Sequence, residues 1–151
     1  KNKISDNTEN TEVVVSTNIN DAKDANIIIT ATASNKALLK SEHLRDGAIV
    51  YDVAQPQNVS EEVRETRKDV SVFDGGIVEG PSGISYNFNM GLRPDTYFAC
   101  MTETMVLALE GAKSDFSIGK ASFENVLRIK KMAKKHNFKL AKLRNWGDVA
   151  D

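Results

Sequence analysis

Four short, nearly continuous apolar runs mark the first half of the chain: Val13-Val14-Val15, Asn26-Ile27-Ile28-Ile29-Thr30, Ala48-Ile49-Val50-Tyr51 and Val70-Ser71-Val72-Phe73. A strand with one wet face alternates apolar and polar positions, whereas an unbroken β-branched run suits a strand covered on both faces. The pattern therefore predicts an α/β fold, a parallel sheet with helices on its faces. Residues 20–24, 41–46 (closed by Gly47) and 60–68 read as the intervening short helices, giving βαβ spacing throughout. Residues 1–12 are polar and predict a tail or linker, the packed part runs over 13–145, and 146–151 form a second tail.

After Phe73 the texture changes. The stretch Asp74-Gly75-Gly76-Ile77-Val78-Glu79-Gly80-Pro81-Ser82-Gly83 reads as a loop or bent hairpin at a strand's carboxyl end, where open α/β sheets bind ligands. Pro94-Asp95-Thr96 is expected to open an apolar helix over 97–110, stopped by Gly111. A second helix is expected over 122–136, with Phe123, Val126, Leu127, Ile129 and Ala133 turned inward.

Composition narrows the function classes. With 20 Lys+Arg against 21 Asp+Glu, bulk attraction to nucleic acid or an anionic membrane is not the organising feature. The single cysteine, Cys100, removes intrachain disulfides and Cys-based zinc clusters, and a reducing cytoplasm fits it best. With two histidines besides, both flanked by polar residues and expected at the surface, no metal site is predicted. No apolar run approaches the ~20 residues that span a bilayer, so no membrane span is expected.

The local chemistry lies at three places. Asn26-Ile27-Ile28-Ile29 followed by the small residues Thr30-Ala31-Thr32-Ala33 has the texture of the nicotinamide half of a Rossmann domain; such residues admit a cofactor closely, and they also simply end strands. The Gly-x-Gly-x-x-Gly turn that would hold a pyrophosphate is absent, since Gly75, Gly76 and Gly80 have the wrong spacing. Cys100, about one turn into its helix, is either a nucleophile favoured by the helix N-terminus or a small buried hydrophobe, with Glu103 as a neighbouring proton-handling group or a solvated acid. Arg128, Lys130, Lys131, Lys134, Lys135, Lys139, Lys142 and Arg144 form a run without acids, suited to an acidic partner or a phosphate-bearing ligand. No aromatic residues are interleaved there, so nucleic acid is not the expected partner.

Three segments together, Phe73-Asp74-Gly75-Gly76-Ile77-Val78-Glu79, Tyr97-Phe98-Ala99-Cys100-Met101-Thr102-Glu103 and Phe116-Ser117-Ile118-Gly119, resemble the carboxyl-terminal part of the long-chain acyl-(acyl-carrier-protein) reductase family of cyanobacterial type, with relatives labelled amino-acid or shikimate dehydrogenase-like. The resemblance implies an NADP-dependent oxidoreductase in which Cys100 takes an acyl group from acyl-carrier protein or acyl-CoA as a thioester. Hydride from NADPH would then release a fatty aldehyde. It also implies that the chain is a carboxyl-terminal Rossmann portion without its first βαβ and its amino-terminal part, which becomes an expected partner. Nicotinamide-side contacts would then fall on Thr30, Ala31, Thr32, Ala33, Asp52, Val53, Gly75 and Gly76. Two alternatives stand beside this reading: a dehydrogenase of an amino or hydroxy acid with Cys100 as packing, and a non-catalytic module docking through the basic helix.

Overall fold

The computed structural model describes residues 12–84, 90–119, 121–145 and 148–149. The expected tail over 1–12 lies almost wholly outside the described residues. The chain divides into two units, Lys1–Val72 and Phe73–Asp151.

The first unit is built on β1 (Ile27–Thr30) and β2 (Ile49–Asp52), and β3 (Ser71–Asp74), whose last two residues already belong to the second unit, completes a three-stranded sheet in the order β1-β2-β3. β1 and β2 run parallel, with Ile27 opposite Ile49 and Thr30 opposite Asp52. Three of the four apolar runs thus became strands, because their β-branched side chains suit a pleated, half-buried surface. A mixed α/β unit with a parallel sheet and flanking helices results.

Coverage differs from expectation. Strand residues alternate between faces. Thr30, Val50, Asp52 and Val72 are buried, whereas Ile27 and Ile29 are 61% and 68% exposed. One face carries the core with Leu39, Leu44, Val59 and Val63, and among the described residues nothing covers the other at β1. The Val13 run forms no strand either: Val14 and Val15 are exposed, with no sheet neighbour among the described residues to satisfy their backbone.

The helix predicted after Lys40 is reduced to a 3-10 turn, Ser41–His43. Arg67, the residue that ends α1 (Glu61–Thr66), holds this segment: its guanidinium donates to the carbonyl oxygens of Ser41, Leu44 and Arg45, while the Ser41 and Arg45 carbonyls also accept the N–H groups three residues on, a tight-turn pattern and not an α-helical ladder. His43, expected at the surface, is buried, and its Nδ1 accepts from the Lys40 backbone N–H at 3.1 Å.

In the second unit, Gly76 takes a positive φ of 68° and turns the chain into β4 (Ile77–Glu79), so part of the expected loop is a strand. β4 lies between β5 (Thr96–Phe98) and β6 (Lys139–Leu140), antiparallel to both. The helix expected from Tyr97 starts later, as α2 (Ala99–Leu109), because Tyr97 pairs with Val78 in the sheet and its ring is buried. α3 (Phe123–Lys135) follows, with the Ser122 hydroxyl accepting from the Asn125 N–H at 3.1 Å as its N-cap. Tyr97, Val106 and Phe138 form the core, with Met105, Ile129, Met132 and Ala133 packed against it. Tyr97 and Phe138 meet edge to face, 6.3 Å between centroids.

Two further sequence expectations change here. Phe123 and Leu127 do not turn inward: at ~100° per residue they lie on the side of α3 opposite Ile129 and Met132, and they are 76% and 51% exposed. In the stretch 146–151, read as a tail, Asp148–Val149 form β8, paired antiparallel with β7 (Arg144–Asn145). Among the described residues no helix is long and apolar enough to cross a membrane.

Candidate functional site

The sequence-predicted residues fall into one cluster in each unit. In the first, Thr30 and Asp52 end adjacent parallel strands, so their side chains emerge together at the carboxyl edge. Asp52 Oδ1 accepts from Thr30 Oγ1 at 2.6 Å and from the Ala54 N–H at 3.1 Å; Oδ2 accepts from the N–H groups of Asn58 at 2.7 Å and Val59 at 3.1 Å. A buried carboxylate needs this many donors. With both oxygens engaged, Asp52 is a structural anchor that folds the 53–59 loop over the strand ends, and no lone pair is left poised to take a substrate proton.

Asn58 extends the network. Its Oδ1 accepts from Thr32 Oγ1 at 2.7 Å and from the Thr32 N–H at 3.3 Å, and its backbone carbonyl accepts from the N–H groups of Leu38 and Leu39. The residue is fully buried, and its Nδ2 has no hydrogen-bond partner among the described residues. Ala31, Thr32 and Ala33 form an exposed lip beyond this anchor, and Val53, whose N–H donates to the Thr30 carbonyl, is exposed beside them. Sequence reasoning missed Asn58. Its only signal was an Asn closing the Pro56-Gln57 turn, a position where such a side chain ties down its own loop.

In the second unit the Gly76 carbonyl accepts from the Ala99 N–H at 2.7 Å, which sets the Gly75-Gly76 turn against the start of α2. Cys100 is the second residue of that helix, nearer its N-terminus than expected, and is exposed; it is no buried hydrophobe. Its carbonyl accepts from Thr104 Oγ1 at 3.3 Å. Glu103 is half-buried one turn on.

Charged contacts missed by the sequence reading fasten both units. Besides the three carbonyls, Arg67 contacts Asp46 and grips Asp69 through Nε at 2.9 Å and Nη2 at 2.8 Å. Asp69 is held well below the ordinary carboxylate range, chiefly by that hydrogen-bonded guanidinium and then by the Gly47 N–H. Between α2 and α3, Glu110 Oε1 accepts from Lys135 Nζ at 2.8 Å and meets His136 Nε2; its pKa is lowered by Lys135 first and His136 second. His136 is therefore a helix-to-helix contact, half-buried, and not the surface residue expected.

No family model matches the chain. Among curated proteins it is similar to the aminotransferase PigE of Serratia sp. (strain ATCC 39006), at 30% identity over 128 residues, which is 82% of this chain and 15% of that protein. The chain thus spans about 15% of the length of the curated relative it matches. This finding overturns the assignment to the acyl-(acyl-carrier-protein) reductase family. With it go the NADPH-dependent reduction of an acyl-thioester to a fatty aldehyde, the dehydrogenase alternative, and NADP as cofactor, since the similarity is to an aminotransferase. The segments that suggested the reductase have local structural duties here: Gly76 makes the turn into β4, and Tyr97 anchors the second core.

Proposed function

We propose that this chain is an α/β module of an aminotransferase-type enzyme and that the pyridoxal phosphate used by such an activity is held outside the described residues. The similarity to PigE, over most of this chain and a small part of that protein, supports the enzymatic setting. The parallel β1-β2-β3 order supports a Rossmann-like first unit.

The exposure of the lysines carries the second half of the proposal. Pyridoxal phosphate is attached through a lysine and paired at its ring nitrogen with an acid. Every described lysine side chain is exposed, and the buried carboxylate at the strand ends, Asp52, is already saturated by four donors. The described residues do not fit the group.

The test is direct. The chain is mixed with pyridoxal phosphate, reduced with borohydride and mapped by mass spectrometry, in parallel with a transamination assay using amino-acid donors and keto-acid acceptors. Scattered, substoichiometric labelling and no turnover are expected. One lysine labelled to stoichiometry, with turnover lost on its replacement, would overturn the proposal.

A further inference from the structure

The outward face of α3 combines two features that a solvated helix does not need together. At ~100° per residue, Phe123, Leu127, Lys130, Lys131 and Lys134 fall within one sector of roughly 100°, opposite the face that packs on the Tyr97 core. Phe123 and Leu127 lie at its amino-terminal end, 76% and 51% exposed. The three lysines follow at its carboxyl-terminal end. Other cations of this stretch are committed: Lys135 pairs with Glu110, Lys139 pairs with Glu79, and Arg128 stacks over the Phe116 ring at 5.2 Å. Lys130, Lys131 and Lys134 form no ion pair among the described residues, and the acid on this helix, Glu124, sits in its first turn. In a chain of net charge −1 this is a local concentration of unneutralised positive charge.

From this arrangement we propose that the outward face of α3 docks a short acidic amphipathic helix of a partner protein, apolar anchors against Phe123 and Leu127 and carboxylates against Lys130, Lys131 and Lys134. The order of the features along the axis selects that partner. A helix that lies on a membrane keeps its apolar residues along one face and its cations along the flanks. Here apolar and basic halves follow each other on the same face, over ~16 Å from Phe123 to Lys134 at 1.5 Å per residue, and the opposite face is held by the core, so the helix cannot roll. A nucleic acid supplies phosphates for the lysines but no apolar counterpart for Phe123 and Leu127, and the stripe lacks the interleaved aromatics on which bases stack. A helix with leucine-like side chains at one end and carboxylates at the other satisfies both halves, as in groove or face recognition by amphipathic helices.

The experiment uses the whole chain and a fluorescent, alanine-based synthetic peptide helix with leucines at one end of a face and glutamates at the other. Its comparators are the same residues scrambled, a polyglutamate peptide, vesicles containing phosphatidylserine and a single-stranded DNA oligonucleotide. Saturable anisotropy change with the patterned peptide is expected. Lys131→Glu combined with Lys134→Glu should weaken it about tenfold, and Phe123→Ser should do so at unchanged net charge. These positions are exposed, and circular dichroism melts of the variants check that the fold is retained. The proposal falls if the patterned peptide does not saturate or binds no better than the scrambled or polyglutamate peptides. It also falls if folded variants bind as the parent does, or if vesicles or DNA bind more tightly.

Discussion

Thr30 and Asp52, opposite each other in the parallel register of β1 and β2, are joined by a 2.6 Å hydrogen bond from the threonine hydroxyl to the carboxylate. The bond closes the sheet edge and leaves Asp52 to gather three backbone donors from the following loop. Asp52→Asn keeps the volume but puts an amide NH2 where a carboxylate oxygen accepted, so N–H groups face N–H groups. A loss of about 2–3 kcal/mol is expected, the cost of stranding buried donors, against about 1 kcal/mol for Thr30→Val. Urea denaturation reads both, and an Asp52→Asn midpoint equal to the parent's would refute the anchoring role.

Gly80 sits against the second core so closely that a Cβ there would lie 2.6 Å from Phe138 Cε1 and 2.7 Å from Tyr97 Cε2. Gly80→Ala must displace one ring or the backbone, at about 1–3 kcal/mol. Gly111→Ala meets no atom within 4 Å and pays only for its positive φ of 68°, about 1 kcal/mol. Thermal melts of the two variants should therefore rank Gly80→Ala as the more damaging; the reverse order would mean that the rings yield freely.

The uncovered side of β1 predicts unusual tolerance. Ile29→Lys places a charge in the middle of a β-branched run, a change that sequence pattern alone marks as disruptive. Because Ile29 is 68% exposed, its stability should change by no more than about 0.5 kcal/mol. Loss of aggregation on concentration, followed by light scattering, should accompany it. A cooperative loss of folding would show that this face is covered after all.

How far the sequence disclosed this arrangement depended on whether a feature was local. Ile27–Thr30, Ile49–Asp52 and Ser71–Asp74 were legible as strands, and 122–136 as a helix, because β-branched runs and helical periodicity act within a few residues. Tyr97 was misread as helical because its strand is imposed by Val78, nineteen positions away in sequence. Ser41–His43 is a tight turn whose Ser41 carbonyl, with that of Leu44 just after it, also accepts from Arg67, twenty-odd residues on. Of the site, Thr30 and Asp52 were named but for a cofactor, whereas their partner Asn58 and the Glu110–Lys135 contact depend on distant pairings with no periodic signature. Of the apolar positions expected to turn inward on α3, Ile129 and Ala133 do pack on the Tyr97 core, whereas Phe123, Val126 and Leu127 stay exposed, because the core meets only one edge of an apolar arc about 160° wide.

Cys100 offers a chemical readout of its own placement. Exposed in the first turn of α2, it should react with a maleimide in the folded protein to one adduct, without a preceding unfolding step. The labelling rate should rise linearly with reagent concentration and stay unchanged in low urea. A rate that saturates, or that follows the unfolding transition, would place the thiol inside the fold.

Acid sensitivity follows from two carboxylates whose folded pKa values are depressed, Asp69 by Arg67 and Glu110 by Lys135 and then His136. A group that ionises more readily folded than unfolded contributes stability above its unfolded pKa, about 4 for these side chains. That contribution is lost as pH falls through the lower, folded value. The melting temperature should accordingly hold between about pH 5 and 7 with respect to these groups and decline below about 4, Glu110 surrendering its contribution before Asp69, which is shifted further. Asp69→Asn and Glu110→Gln should each melt lower than the parent at neutral pH and converge toward it in acid, because the parent then loses by protonation what the variants never had. Melting curves followed by circular dichroism across that range decide the matter. A constant offset between parent and variant at every pH would mean that the Arg67 and Lys135 contacts act through packing, not through the charge of their carboxylate partners.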